Sequence, residues 1–127
     1  MAGSAAFIGA RSGGETPDAY RNINLSTTGQ MVSTVPANLY ALLATNGGAA
    51  AAFVKVYNKA SAATQADTPV FTFRVPAGGS VPFAQPAGVH FNAGISLRAT
   101  TGVADSDTGA PGANEVIVNA LFKQGPA

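Results

Sequence analysis

The chain has 127 residues and a formal net charge of +1, and only 10% of its residues are charged whereas 46% are hydrophobic. This length fits one domain with a single core, and the weak charge, without a cluster of Lys or Arg, argues against nucleic acid as a partner. The absence of cysteine excludes disulfides and thiolate zinc sites and permits assembly in a reducing compartment. No apolar run approaches the roughly 20 residues of a membrane span, and the first residues lack the pattern of a secretory signal, so we expect no membrane partner.

Residues 1–29 are mostly small and polar, with large apolar side chains only at scattered positions. We predict that they form an extended N-terminal arm ahead of a β-sandwich domain over residues 30–127. Phe7, Ile8 and Tyr20 are the candidate interaction residues, because they can anchor the arm in grooves of a neighbouring subunit and order it on assembly. A disordered terminus is the alternative. If the arm is separate from the sandwich, deletion of residues 1–25 leaves the sandwich folded.

Short segments of β-type sequence follow the arm and are separated by turn residues. Residues 53–57 are apolar on both sides, as in an inner strand, and residues 70–75 alternate with the period of two of a half-buried strand. The connection between this central pair is roughly a dozen residues long, which predicts a hairpin with a long exposed tip or a crossover between two sheets. The remaining predicted strands are residues 30–35, 38–45, 80–83, 89–91, 94–101 and 115–122.

These seven or eight short strands predict an all-β chain that folds as an antiparallel β-sandwich of immunoglobulin-like or jelly-roll type. The strand pattern leaves the choice between the two topologies open. A helix over residues 39–53 is the competing interpretation, since residues 49–52 are all alanine. Gly47 and Gly48 in the middle of that segment argue against a helix.

Few side chains are candidates for chemistry. His90 has no second imidazole and no nucleophile motif to work with, so we expect a structural or surface role. Asp105 and Asp107 have a D-x-D spacing that can present oxygens to calcium, but the other ligands of a calcium loop are missing, so we favour a solvated loop or an Asx-turn. No acid, base or nucleophile pair is recognisable. We therefore expect a protein that is not an enzyme and that needs no cofactor.

An ordered set of short motifs runs through residues 38–123. The motifs are Leu39-Tyr40-Ala41-Leu42, Phe53-Val54-Lys55-Val56-Tyr57-Asn58, Asp67-Thr68-Pro69-Val70, Phe91-Asn92-Ala93-Gly94-Ile95-Ser96, Thr100-Thr101-Gly102-Val103-Ala104-Asp105-Ser106-Asp107-Thr108 and Glu115-Val116-Ile117-Val118-Asn119. In this order they resemble a family of small virion structural proteins of tailed bacteriophages, usually found among head genes. Residues 1–29 lie outside the resemblance.

The resemblance implies a β-sandwich decoration, or cement, protein on the capsid exterior that clamps adjacent copies of the major capsid protein. It also implies that the chain is made in the host cytoplasm and binds further copies of itself around a local symmetry axis. The expected contact elements are the arm and the loops over residues 58–68 and 102–114.

Two alternatives to the decoration protein stay open. One is a virion protein of the tail, the neck or a fibre, which copy number per particle distinguishes from a decoration protein. The other is a carbohydrate-binding adhesion module in which Asp105 and Asp107 hold calcium, although the absence of Trp counts against it.

Overall fold

The computed structural model describes residues 16–125. These residues form eight strands and no helix, so no helix that could cross a membrane occurs among them. The all-β prediction is confirmed. The competing interpretation of a helix over residues 39–53 is wrong, because residues 39–46 and 52–53 lie in strands. The strands are β1 (Asp18–Asn22), β2 (Gln30–Ser33), β3 (Ala37–Asn46), β4 (Ala52–Asn58), β5 (Phe71–Val75), β6 (Ser80–Phe91), β7 (Ile95–Thr100) and β8 (Val116–Gln124).

The strands pair as one long hairpin of the whole chain that is rolled into two layers. β1 pairs with β8, β2 with β7, β3 with β6 and β4 with β5, all antiparallel. The further pairs β3·β8 and β4·β7 complete two four-stranded sheets with the orders β1-β8-β3-β6 and β2-β7-β4-β5. Consecutive strands therefore alternate between the sheets except at β4–β5. This is the jelly-roll arrangement, so the predicted β-sandwich is confirmed and its topology is the jelly roll.

The central pair of the prediction is the hairpin β4–β5 in the second sheet. β4 lies between β7 and β5, and nearly all of its residues on both faces are buried, as predicted for an inner strand. Val54 and Val56 face the core, and Phe71 and Phe73 of β5 pack against the same core. Residues 59–70 connect two paired strands of one sheet, so the connection is a hairpin and not a crossover.

β6 is one long strand where the sequence predicts two short strands, at residues 80–83 and 89–91. The composition Gln85-Pro86-Ala87-Gly88 predicts a turn between them, and this prediction is wrong. Pro86 is tolerated because β6 is an edge strand, which among the described residues pairs with β3 alone. Gly88 has a φ of 83°, and a Cβ there would lie 2.9 Å from the ring of Tyr40. The register of β3 and β6 shifts nearby, between Leu39 and Ala41. Gly88 therefore accommodates an irregularity in the strand and does not end it.

Part of the predicted arm belongs to the sandwich. Phe7 and Ile8 lie outside the described residues, but residues 18–22 form β1, which pairs with β8 at the edge of the first sheet. Tyr20 packs against the core, and Leu25 is fully buried within it. The sequence analysis missed this strand because β1 has few apolar residues of its own, and it is held by the hydrogen-bonding edge of β8. The sandwich therefore begins well before residue 30.

Candidate functional site

The outer face of the second sheet carries polar side chains that are buried beneath loops. These side chains alternate along β4 and β7 with residues that face the core, so they point away from the core. Lys and Arg are rarely buried without partners, so each cation here needs acceptors. We call this set the polar layer. Its members, each at most 1% exposed, are Lys55, Tyr57, Ser96, Arg98 and Thr100.

Arg98 of β7 connects three parts of the chain. Its Nε donates a hydrogen bond to Thr27 O at 2.9 Å, and its Nη1 donates to the hydroxyl of Tyr57 at 3.0 Å. Its Nη2 donates to Asp107 O at 3.0 Å. The planar guanidinium thereby fastens the segment before β2 and the loop after β7 to the same sheet.

Lys55 of β4 is the register partner of Arg98. Its Nζ donates a hydrogen bond to the carbonyl oxygen of Ala104. Burial, and then the positive charge of Arg98, hold the pKa of Lys55 below its ordinary value, while Asp107 and Asp105 act in the opposite direction. Two adjacent cations thus bind one loop, and both bind it through backbone carbonyl groups.

The same loop is closed by one of its own carboxylates. Asp107 Oδ2 accepts hydrogen bonds from the backbone N–H of Gly102 at 3.0 Å and from that of Gly109 at 3.1 Å. The bond to Gly109 has the i to i+2 spacing of an Asx-turn, which is the interpretation that the sequence analysis favours for this segment. We call residues 101–109 the pinned loop, because Lys55, Arg98 and Asp107 all hold it.

The pinned loop presents a large apolar side chain to solvent. Val103 is 65% exposed, the highest value among the exposed large hydrophobic residues of the described chain. Asp105 is also exposed on this loop. Within residues 16–125 no three His, Cys, Asp or Glu side chains come together in a way that could hold a metal ion. The hydrogen bonds of the loop therefore hold Val103 in a defined position outside the core.

The loop between β4 and β5, residues 59–70, folds back over the second sheet. Ala63 is buried, and its N–H donates to Ser96 Oγ at 2.9 Å. Asp67 Oδ2 accepts hydrogen bonds from Lys59 Nζ at 2.7 Å and from the Thr64 N–H at 2.8 Å. The hydrogen bond from Lys59, and then that from the Thr64 N–H, hold the pKa of Asp67 below its ordinary value.

These two loops leave the sandwich at opposite ends. β4 and β7 pair from Phe53↔Thr100 to Asn58↔Ile95. The pinned loop follows Thr100, whereas residues 59–70 follow Asn58. The two loops that the sequence analysis names as contact elements therefore start from separate ends of the molecule.

The outer face of the first sheet is open within the described part of the chain. Leu42 and Ala120 face the core and are at most 3% exposed, whereas their neighbours Leu43 and Leu121 face outward and are each 41% exposed. A shallow cavity of about 580 Å³ lies on this face and touches all four strands. We call this surface the outer groove. Its outward residues are Ala19, Ala41, Leu43, Pro82, Asn119 and Leu121, with Arg21 at the β1 edge.

The structure places the residues singled out by the sequence analysis on three separate elements: Asp105 and Asp107 on the pinned loop, His90 on β6 and Tyr20 on β1. His90 is exposed on β6, with its Nδ1 2.9 Å from Asn38 Oδ1. Tyr20 packs against the core of its own sandwich, and its hydroxyl accepts a hydrogen bond from Asn22 Nδ2 at 3.2 Å. The sequence analysis did not identify Lys55 as a loop anchor, although a lysine within an otherwise apolar inner strand was the available signal.

In comparisons with known proteins, no family model and no curated protein sequence matches this chain. Function is therefore inferred from the motifs, the fold and the surfaces of the molecule itself.

Proposed function

We propose that this chain is a capsid decoration protein that binds the outside of a phage head and clamps adjacent major capsid protein subunits. The motif resemblance over residues 38–123 suggests the capsid, and a jelly roll whose contact loops start from opposite ends of the second sheet agrees with it. Jelly rolls occur in viral capsid proteins and also in lectins and cupins. The fold is thus compatible with the proposal but does not single it out, so the support for this function has to come from the surfaces of the molecule.

The observation that carries the proposal is the pinned loop with Val103 at its surface. A loop that is already held by Lys55, Arg98 and Asp107 loses little conformational entropy when a partner binds it. An exposed valine on such a loop can be buried by a neighbouring subunit at a low ordering cost. This is the property that a clamp between rigid shell subunits requires.

The positions of the two contact loops explain how the clamp would bridge two subunits. The pinned loop engages one capsid subunit and residues 59–70 engage another, since the two loops start at opposite ends of the sandwich. A contact of about 800 Å² per partner is enough for a specific interface, and repetition over a closed shell adds avidity. Because the protein binds the assembled shell and not its free subunits, it stabilises the shell by mass action.

Loss of the exposed apolar contact tests the clamp. We expect Val103→Asp to lower the number of copies bound per particle by at least about tenfold, because the interface would bury an unpaired carboxylate. Bound copies are counted by quantitative mass spectrometry after purified chain is added to undecorated heads. Val35→Asp is the matched control, since Val35 is also exposed, at 44%, and lies outside both contact loops.

The wild-type count separates the candidate functions. Near-stoichiometric copies relative to the major capsid protein, with matching density outside the shell, support the decoration protein. A few copies at one vertex or on the tail overturn the proposal in favour of a tail, neck or fibre protein. Absence from particles, together with glycan binding that depends on calcium, overturns it in favour of an adhesion module.

A further inference from the structure

The outer groove is an apolar surface that the proposed capsid contacts leave unused. Its outward side chains lie in register across the strands, in the rows Ala19↔Leu121↔Ala41 and Arg21↔Asn119↔Leu43↔Pro82. Directly opposed side chains are about 4.5–5.5 Å apart at Cβ, so each row is a continuous strip across the sheet. Ala19 and Ala41 lie on the two sides of Leu121, and because their side chains are small, the cavity of the outer groove opens next to Leu43. The surface can therefore accept a chain segment that crosses the strands.

Residues 1–15 precede β1, the edge strand of this surface. The described chain starts at residue 16, and β1 begins at Asp18, one position before the groove residue Ala19. From Ile8 to Asp18 an extended chain reaches about 33 Å at 3.3 Å per residue. The four strands of the sheet span only about 14 Å at their usual spacing. Residues 7 and 8 can therefore reach any part of the groove, even after the chain reverses its direction.

The composition of the segment suits such a path. Ten of its fifteen residues are Ala, Gly or Ser, which let a backbone lie close against a sheet. Gly13 and Gly14 form a pair at which the chain can reverse, since glycine adopts turn conformations at little cost. Phe7 and Ile8 are adjacent large apolar residues in an otherwise small-residue stretch. They match the two exposed leucines of the groove in number and in chemistry.

We propose that residues 1–15 dock in the outer groove of the same copy, with Phe7 and Ile8 packed against Leu43 and Leu121. The same copy is the favoured site because a short tether gives the segment an effective concentration of order mM at its own groove. The sequence analysis expected these anchors in a neighbouring subunit, and the path from β1 favours the anchors' own sandwich instead. This docking does not depend on capsid binding.

A cross-linking experiment tests the contact in the full chain. Because the chain has no cysteine, two introduced cysteines form the one possible intramolecular disulfide. Ile8→Cys with Leu121→Cys is expected to oxidise within one copy, seen as a disulfide-linked monomer by non-reducing electrophoresis and peptide mapping. Ile8→Cys with Val103→Cys is the matched control, expected to stay reduced although Val103 is the more exposed of the two partners. A covalent dimer, or equal oxidation of both pairs, overturns the proposal.

A second measurement avoids the geometric demands of a disulfide. In methyl NMR spectra of the full chain, Phe7→Ser combined with Ile8→Ser is expected to shift the methyl resonances of Leu43 and Leu121. The methyl resonances of Val103 should stay in place. Unchanged leucine resonances overturn the proposal, and so does a shift of all methyl groups alike, since that reports a general change in the fold.

Discussion

At the residue scale, the molecule buries two cations side by side and satisfies both with neutral oxygen atoms. The ion pairs of the described residues are Lys59–Asp67 and Lys123–Asp18, so neither Lys55 nor Arg98 takes part in one. Arg98 alternates along β7 with the core residues Leu97 and Ala99, so the period of two in the sequence is enough to indicate that it faces away from the core. Its burial could not be predicted from sequence, because its backbone acceptors come from two distant segments of the chain. Thr27 lies before β2, and Asp107 lies in the loop after β7.

Removal of the Arg98 guanidinium should destabilise the whole fold. We expect Arg98→Met to lower the free energy of unfolding by about 2–4 kcal/mol, because three acceptors beneath the loops lose a charged donor. Arg98→Lys should recover little of this loss, since an ammonium cannot reproduce the planar fork. Urea unfolding followed by circular dichroism measures the change.

The control for this experiment is Arg74→Met on the neighbouring strand β5. Arg74 is exposed, so its replacement should change the free energy of unfolding by less than about 0.5 kcal/mol. Equal effects of the two substitutions would show that the hydrogen bonds of Arg98 do not support the fold.

At the scale of elements, the two long loops are ordered by carboxylates that accept backbone N–H groups. Asp107 closes the pinned loop, and Asp67 closes the loop between β4 and β5. The sequence analysis recognised both segments as loops from their composition. It could not predict that they fold onto the second sheet, because that packing depends on buried residues of β4 and β7.

Loss of the Asp107 carboxylate should loosen the pinned loop without unfolding the sheets. We expect Asp107→Ala to lower the free energy of unfolding by about 1–3 kcal/mol, because two backbone N–H groups lose their acceptor. Amide hydrogen exchange should accelerate at Gly102 and Gly109, whereas β7 and β8 stay protected. Asp105→Ala, at an exposed position of the same loop, serves as the control and should leave both exchange rates unchanged.

Asp67 should contribute to acid sensitivity. Its pKa in the folded chain is below the ordinary value of 3.8, so the folded state binds this proton less tightly than the unfolded chain does. The resulting stability is fully present above the ordinary pKa and is lost as pH falls below it through the lowered pKa. We expect Asp67→Asn to make the fall in unfolding free energy shallower in that acid window, measured by urea unfolding at several pH values. An identical pH profile for wild type and variant would contradict this assignment.

At the scale of the whole molecule, the period-two pattern predicts most strands, but the pairing of those strands is a property of the complete chain. The observed strands β4, β5 and β7 coincide closely with the strands predicted at residues 53–57, 70–75 and 94–101. The jelly roll itself depends on pairs such as β1·β8, which join segments about a hundred residues apart. No local pattern encodes such a pair, and this is why the sequence predicts residues 18–22 as part of the arm.

Two deletions separate arm from sandwich. Deletion of residues 1–15 should leave cooperative unfolding intact, because all eight strands remain. Deletion of residues 1–25, which the sequence analysis expects to be tolerated, should lower the free energy of unfolding by more than about 3 kcal/mol, since it removes β1 and the fully buried Leu25. Thermal unfolding of the two shortened chains measures the difference, and equal stability would place β1 outside the cooperative fold.

The pairing of β1 with β8 has a consequence for engineering. Asp18 lies opposite Phe122, so the two ends of the described chain leave the sandwich at the same end of the first sheet. A cargo fused to either end would emerge at one place, close to the outer groove and away from the pinned loop. A short peptide between these ends would close the polypeptide into a ring in which every strand keeps its neighbours.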